Sequence, residues 1–190
     1  MSSHFYAFMS RMKNIYRWGL MRNTHNENLS EHSLEVAMVA HALAVIGNKR
    51  LNKNYNPYYI ATVAMFHDTG EIITGDMPTP IKYYNETIKN AYKEIEETAE
   101  KSLINMLPDD MREEFIPLYK FDDETKRIVK AADKISALIK CIEETRSGNG
   151  EFSVAKKSTL KAIKDMDVPE ADIFLEEFIE SFSLSLDEQK

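Results

Sequence analysis

Apolar residues recur at steps of three and four along nearly all of this 190-residue chain, and that spacing commits it to helices. Positions three or four apart share one helix face, whereas a half-buried strand alternates at every second residue. Phe5, Phe8, Met9, Met12, Ile15 and Tyr16 make a core stripe ahead of Arg17, and Leu34, Ala37, Met38, His41 and Val45 mark a second helix. A third begins near Tyr58, after a polar stretch from Gly47 to Pro57, and runs on through His67. Gly70, Gly75, Pro78 and Pro80 then break the pattern and predict a loop over 74–82. Ile88, Ala91, Ile95, Ala99, Leu103 and Met106 predict a long helix with a charged outer face, followed by Pro108. Ile128, Ala131, Ile135, Leu138 and Ile142 predict another, stopped by Ser147-Gly148-Asn149-Gly150. Two more are expected over 151–165 and 169–182, with Pro169 suited to a first turn. No segment alternates as a strand would, so the expected fold is all-α, in a single domain over 1–190.

Charge and cysteine content narrow the function classes. With 24 basic and 31 acidic residues the formal net charge is −7, a field that disfavours a nucleic-acid polymer as partner. A single cysteine, Cys141, excludes an intramolecular disulfide and a thiolate metal cluster, and suits a reducing, cytoplasmic compartment. The apolar runs read as too short to span a bilayer, and the N-terminus lacks a secretory pattern.

The chemistry is concentrated around His67-Asp68, with Glu71 three residues on. On a continuous helix these side chains could converge on one point suited to a cation and a water. A divalent ion wants about six donors, so further ligands are needed. His32 is one candidate, in the first turn of a helix that Ser30 could cap. Asp133 is the other, a carboxylate inside an otherwise apolar helical stretch, where a cation or a salt bridge with Lys130 or Lys134 would offset its burial. His41 lies half a turn round the axis from His32 and reads as structural.

The order His32, His67-Asp68, Asp133 resembles the metal-binding signature of the HD-domain phosphohydrolase superfamily. The segments Ser3-His4-Phe5, Arg17-Trp18, Leu20-Met21-Arg22-Asn23, Ser30-Glu31-His32-Ser33-Leu34, Thr74-Gly75-Asp76-Met77-Pro78-Thr79-Pro80 and Phe182 to Glu188 extend the likeness. Together they resemble the bacterial 5'-deoxynucleotidases of the YfbR type, over essentially the whole chain. That resemblance implies an HD-domain helical bundle with metal-core helices within about 28–146 and the C-terminal helices 151–182 packed on it. It implies one divalent metal per subunit, Co2+ with Mn2+ or Cu2+ as alternatives, held by His32, His67, Asp68 and Asp133. It implies hydrolysis of deoxyribonucleoside 5'-monophosphates to deoxynucleoside and phosphate, with water activated at that ion. Glu71 is then expected to act on the attacking water, and Arg17, Trp18, Asp76 and Thr74 to bind substrate. Trp18 would leave no room for a 2'-hydroxyl. The family's usual state is a homodimer. Thr69-Gly70 departs from the Ala-Ser of some relatives, and its glycine predicts a more flexible turn. His25 has no evident role.

Other readings compete. HD proteins also hydrolyse nucleoside triphosphates or guanosine tetraphosphate, though Arg17-Trp18 and the short chain favour monophosphates. A nucleotide sensor that has lost turnover is opposed by an intact Glu71. A helical interaction protein with an incidental His-Asp pattern would bind no stoichiometric metal.

Overall fold

The computed structural model describes residues 2–82 and 84–190, apart from the side chain of Thr79. The described residues form helices α1 (Phe5–Met9), α2 (Leu29–Arg50), α3 (Pro57–Phe66), α4 (Glu71–Thr74), α5 (Thr79–Lys82), α6 (Glu86–Asn105), α7 (Arg112–Phe115), α8 (Asp123–Arg146), α9 (Ser153–Asp165) and α10 (Pro169–Glu177). Short 3-10 turns join several of them. Among the described residues there is no strand, only an isolated antiparallel bridge between Tyr16 and Asn28. The all-α expectation holds.

Two compact units divide the chain. The first comprises Met1–Met21, Asn26–Ser33 and Phe66–Phe121. Its core gathers Phe5, Leu103 and Leu107, with Phe66 and Phe115 packed against them. Phe5 meets Phe115 edge-on at 5.2 Å between ring centroids, the offset geometry aromatic quadrupoles prefer. The N-terminal stripe is only partly realised. Helix α1 ends at Met9 and a 3-10 turn over Ser10–Asn14 follows, so the helical spacing is lost and Tyr16 is exposed while Phe5 and Met12 are buried. Within the expected loop 74–82, Thr79–Lys82 forms the single helical turn α5.

The start of α2 also differs from expectation. Asn28, not Ser30, is the cap: its Oδ1 accepts from the Ser30 and Glu31 backbone amides at 2.9 and 3.1 Å. Glu31 Oε2 in turn accepts from the Asn28 amide at 3.1 Å, a reciprocal capping box. By length and composition α2 alone among the described residues could cross a membrane, which corrects the reading that no apolar run approaches that length; 56% of its most apolar window is buried in the protein.

The second unit comprises Arg22–His25, Leu34–Met65 and Asp122–Lys190. Its spine is α8, capped by Asp122 Oδ1, which accepts from the Thr125 amide at 2.6 Å. Ile128, Ala131, Ile135, Leu138 and Ile142 are all buried, as their spacing predicts. On α2 the stripe is misplaced: Val36, Val39, Ala40, Leu43 and Ala44 are buried, whereas Leu34 and Met38 are 52% and 63% exposed. That helix is apolar nearly all round, so apolar spacing alone does not select its inward face.

One buried polar cluster pins residues 24 and 25 to α8. The Glu144 carboxylate accepts from Thr24 N (2.9 Å), Thr24 Oγ1 (2.7 Å), His25 N (3.1 Å), Asn149 Nδ2 (2.8 Å) and Lys140 Nζ (2.5 Å). Lys140 also donates to the His25 carbonyl. Burial would raise the Glu144 carboxyl, but these donors outweigh it and hold the group far below the ordinary range. Glu144→Gln strands the buried Lys140 charge and is expected to lower unfolding stability by about 3 kcal/mol at pH 7. Because the folded-state pKa is depressed, the loss is complete above about pH 4.5 and shrinks as pH falls below it, which denaturant titrations at pH 7 and pH 3 measure.

Candidate metal centre

Three of the sequence-predicted ligands come together in the first unit. The Asn28 cap sets His32 in the first turn of α2, where its side chain is fully buried. Helix α3 ends at Phe66, so His67 and Asp68 stand in a turn, not on a helix continuous with Glu71 as the spacing predicted. The Thr69 hydroxyl makes the break by donating to the Phe66 carbonyl at 2.8 Å, and it also meets the Tyr119 hydroxyl at 3.0 Å. The turn therefore needs no glycine: Gly70 has φ −56° and a Cβ there would touch Ala99 at an ordinary 3.8 Å.

Asp68 Oδ2 lies 3.1 Å from His67 Nε2 and 3.5 Å from His32 Nε2. One ligand atom from each of the three residues falls within 4.8 Å of the others. Burial would raise the Asp68 carboxyl, but the charge and hydrogen bonding of His67 and His32 hold it well below its usual range. His32 Nδ1 is 3.1 Å from Glu27 Oε1 and donates to it. When the imidazole sheds the proton that faces Asp68 and keeps the one on Nδ1, its Nε2 lone pair meets the carboxylate acceptor against acceptor, and a divalent cation between them would resolve the conflict. Two nitrogens and a carboxylate oxygen suit several first-row ions. The residues fit a metal.

Asp133 lies on α8 in the second unit, half-buried, with Lys134 Nζ 3.5 Å from its Oδ2. His41, read as structural, stacks at 5.8 Å from Tyr58.

Around the ligands stand the other predicted residues of the first unit. Arg17 Nη1 is 3.3 Å from Asp68 Oδ2, and its Nε is 3.3 Å from Glu27 Oε1. Trp18 has φ 59°, a left-handed backbone rare for a bulky residue, and its indole Nε1 donates to Glu27 Oε2 at 2.9 Å. Glu71 opens the one-turn helix α4 and is buried, and its Oε2 has no hydrogen-bond partner among the described residues. Burial, then the neighbouring Asp68 and Asp76, push its carboxyl up to about 9. A divalent ion beside Asp68 opposes that rise. Asp76 follows Gly75, whose φ of 74° turns the chain out of α4. Burial raises Asp76 despite the nearby Arg17 charge, and it takes a hydrogen bond from the Trp18 backbone. Thr74 instead donates to the Gly75 carbonyl at 3.0 Å and meets the Tyr92 hydroxyl at 3.3 Å. Glu27, which joins His32, Arg17 and Trp18, escaped the sequence reading.

Comparison with known proteins gives one answer. The model of the family described as 5'-deoxynucleotidase YfbR-like matches residues 4–182. A 5'-deoxynucleotidase of Photobacterium profundum is 51% identical over 189 residues, covering 98% of this chain and 97% of that protein. One from Cronobacter sakazakii is 49% identical, covering 98% and 95%. Among solved structures, an HD-domain phosphohydrolase from Listeria innocua superposes with a TM-score of 0.82 at 22% identity, covering 98% of this chain and 91% of that one. A cyanophage S-2L HD phosphohydrolase, solved bound to dA and one catalytic Zn2+ ion, gives 0.68 at 19% identity, covering 92% and 96%. These two share the fold. Matched by the family model over residues 4–182 and near half identical to curated members along almost its full length, this chain belongs to the 5'-deoxynucleotidase YfbR-like family.

Proposed function

We propose that this protein is a metal-dependent 5'-deoxynucleotidase that hydrolyses deoxyribonucleoside 5'-monophosphates to deoxynucleoside and phosphate. The observation that carries the reading is the meeting of His32, His67 and Asp68 beside the Arg17 guanidinium. It gathers donors for a cation next to a permanent cation, as a phosphate dianion requires. Family membership supports the same activity. Asp133 is proposed as the fourth donor and Co2+ as the ion, with Mn2+ or Cu2+ as alternatives. When bound, a divalent ion supplies positive charge and Lewis acidity to phosphoryl oxygens and water.

In the reaction a water oxygen bonds to phosphorus, the P–O5' bond breaks, and a proton ends on the 5'-hydroxyl of the deoxynucleoside. Arg17 is proposed to hold phosphate oxygens, its plane fixed by Glu27 and Asp68. Glu71 takes the water proton at its carboxylate, and its burial excludes bulk water from that atom. Asp76 accepts from a sugar hydroxyl, with Thr74 beside it. Trp18 packs against C2' and excludes a 2'-hydroxyl. The chain is further proposed to form one HD domain from both units, to assemble as a homodimer and to work in the cytoplasm. Sedimentation measures the assembly.

Phosphate release by chelator-stripped protein, resupplied with cobalt, manganese, magnesium or zinc, tests the activity on dTMP, 5-methyluridine monophosphate and dTTP. Metal-dependent release from dTMP alone is expected; release from dTTP alone would move the protein to triphosphohydrolysis. Glu71→Ala is expected to keep its metal by elemental analysis and lose turnover by at least about 100-fold; retention of most activity would remove the role. Trp18→Ala should raise ribonucleotide turnover relative to deoxyribonucleotide, and an unchanged ratio would remove Trp18 from sugar selection.

A further inference from the structure

The bridge between Tyr16 and Asn28 fixes more than backbone. The Arg17 amide donates to the Glu27 carbonyl at 3.0 Å and the Leu29 amide to the Ile15 carbonyl at 2.8 Å, so this short antiparallel pairing sets Arg17 opposite Glu27. The Glu27 side chain then meets three partners at once. Oε1 lies 3.1 Å from His32 Nδ1 and 3.3 Å from Arg17 Nε, and Oε2 accepts from Trp18 Nε1 at 2.9 Å. One half-buried carboxylate thus touches a metal-ligand candidate, the proposed phosphate cation and the proposed sugar-facing indole.

We propose that Glu27 is the positioning residue of this site, holding His32 in its metal-binding tautomer and Trp18 in its sugar-excluding pose through the two oxygens of one carboxylate. The inference rests on the proposed deoxynucleotidase reading and adds to it a link between metal affinity and sugar selection. Toward His32 the mechanism is tautomer control. A proton held on Nδ1 by an anion leaves Nε2 as an electron-rich donor, and losing such a partner typically weakens metal binding about 10–100-fold. Toward Trp18 it is conformational. At φ 59° the residue is strained, and the indole hydrogen bond acts with the Met21 amide, 2.8 Å from the Trp18 carbonyl, to keep it there.

Glu27→Gln retains the shape and presents an amide N–H2 where an acceptor is needed. Three readouts follow on metal-stripped protein. Affinity for Co2+ or Zn2+, by competition with a chromophoric chelator, is expected to fall about 10–100-fold. The emission of Trp18, the only tryptophan in the chain, is expected to shift. At saturating metal the ratio of kcat/KM for dTMP over 5-methyluridine monophosphate is expected to stay below that of the parent. Metal affinity within about twofold of the parent overturns the tautomer role. Full recovery of ratio and emission at saturating metal overturns the shared role, leaving Glu27 acting on His32 alone. Should Glu27→Gln not fold by circular dichroism, replacing the Trp18 side chain by its benzothiophene isostere removes the N–H donor while keeping the bicyclic ring, and is expected to lower the ratio while keeping metal affinity; an unchanged ratio overturns the link. A parent protein that binds metal but releases no phosphate from dTMP would sink the deoxynucleotidase reading, while the metal-affinity and emission arms still decide the role of Glu27.

Discussion

Glu27, Asp68, Glu71 and Asp76 crowd into the first unit around the Arg17 guanidinium, and this excess of carboxylates in a partly dry pocket governs the site. Charges so placed repel one another far more than in water. Asp68 and Glu27 meet the demand by sharing Arg17 and two imidazoles, and both remain ionised. Glu71 and Asp76 are driven the other way by burial and by the Asp68 charge. A divalent cation held by His32, His67 and Asp68 would supply the positive charge for all of them to ionise together. On the proposed mechanism, metal binding and the readiness of Glu71 to take a proton would be two faces of one electrostatic balance.

The break between α3 and α4 serves that balance. On a continuous helix, adjacent residues point about 100° apart, and His67 and Asp68 would diverge. In the turn they lie close enough for His67 Nε2 to reach the carboxylate of its own neighbour at 3.1 Å. Thr69 and Tyr119 stabilise the turn through their hydroxyls. The restart at Glu71 then sets that residue within electrostatic reach of Asp68 while removing it from solvent.

Much of this was legible in the residue order. Periodicity located α6 and α8, and fixed the inward face of α8; on α6 the expected Ala91 and Ile95 are exposed and Tyr92 is buried instead. It misjudged α2, which is apolar nearly all round, and α1, where five residues of helix give way to a tighter turn. The candidate ligands were readable as an ordered set of rare, chemically marked residues. The capping of α2 was written in Asn28 and Glu31, but Ser30 offered an equally good cap two residues on, and only the reciprocal bond decides between them. Glu27 was illegible for a different reason. An acidic residue in a polar stretch reads as solvated, and its true partners depend on a two-residue bridge between irregular segments that no periodicity announces.

Trp18 occupies a backbone state in which glycine would sit without strain. The chain instead keeps its one indole there, at a conformational cost of about 1–3 kcal/mol. If Trp18 has its proposed role, position 18 is contested between backbone strain and sugar selectivity. A glycine there would relax the backbone and, on this reading of the pocket, admit ribose. Engineering for heat resistance that followed backbone geometry alone would choose that glycine, and would give up both the indole hydrogen bond to Glu27 and the side chain proposed to discriminate between the two sugars.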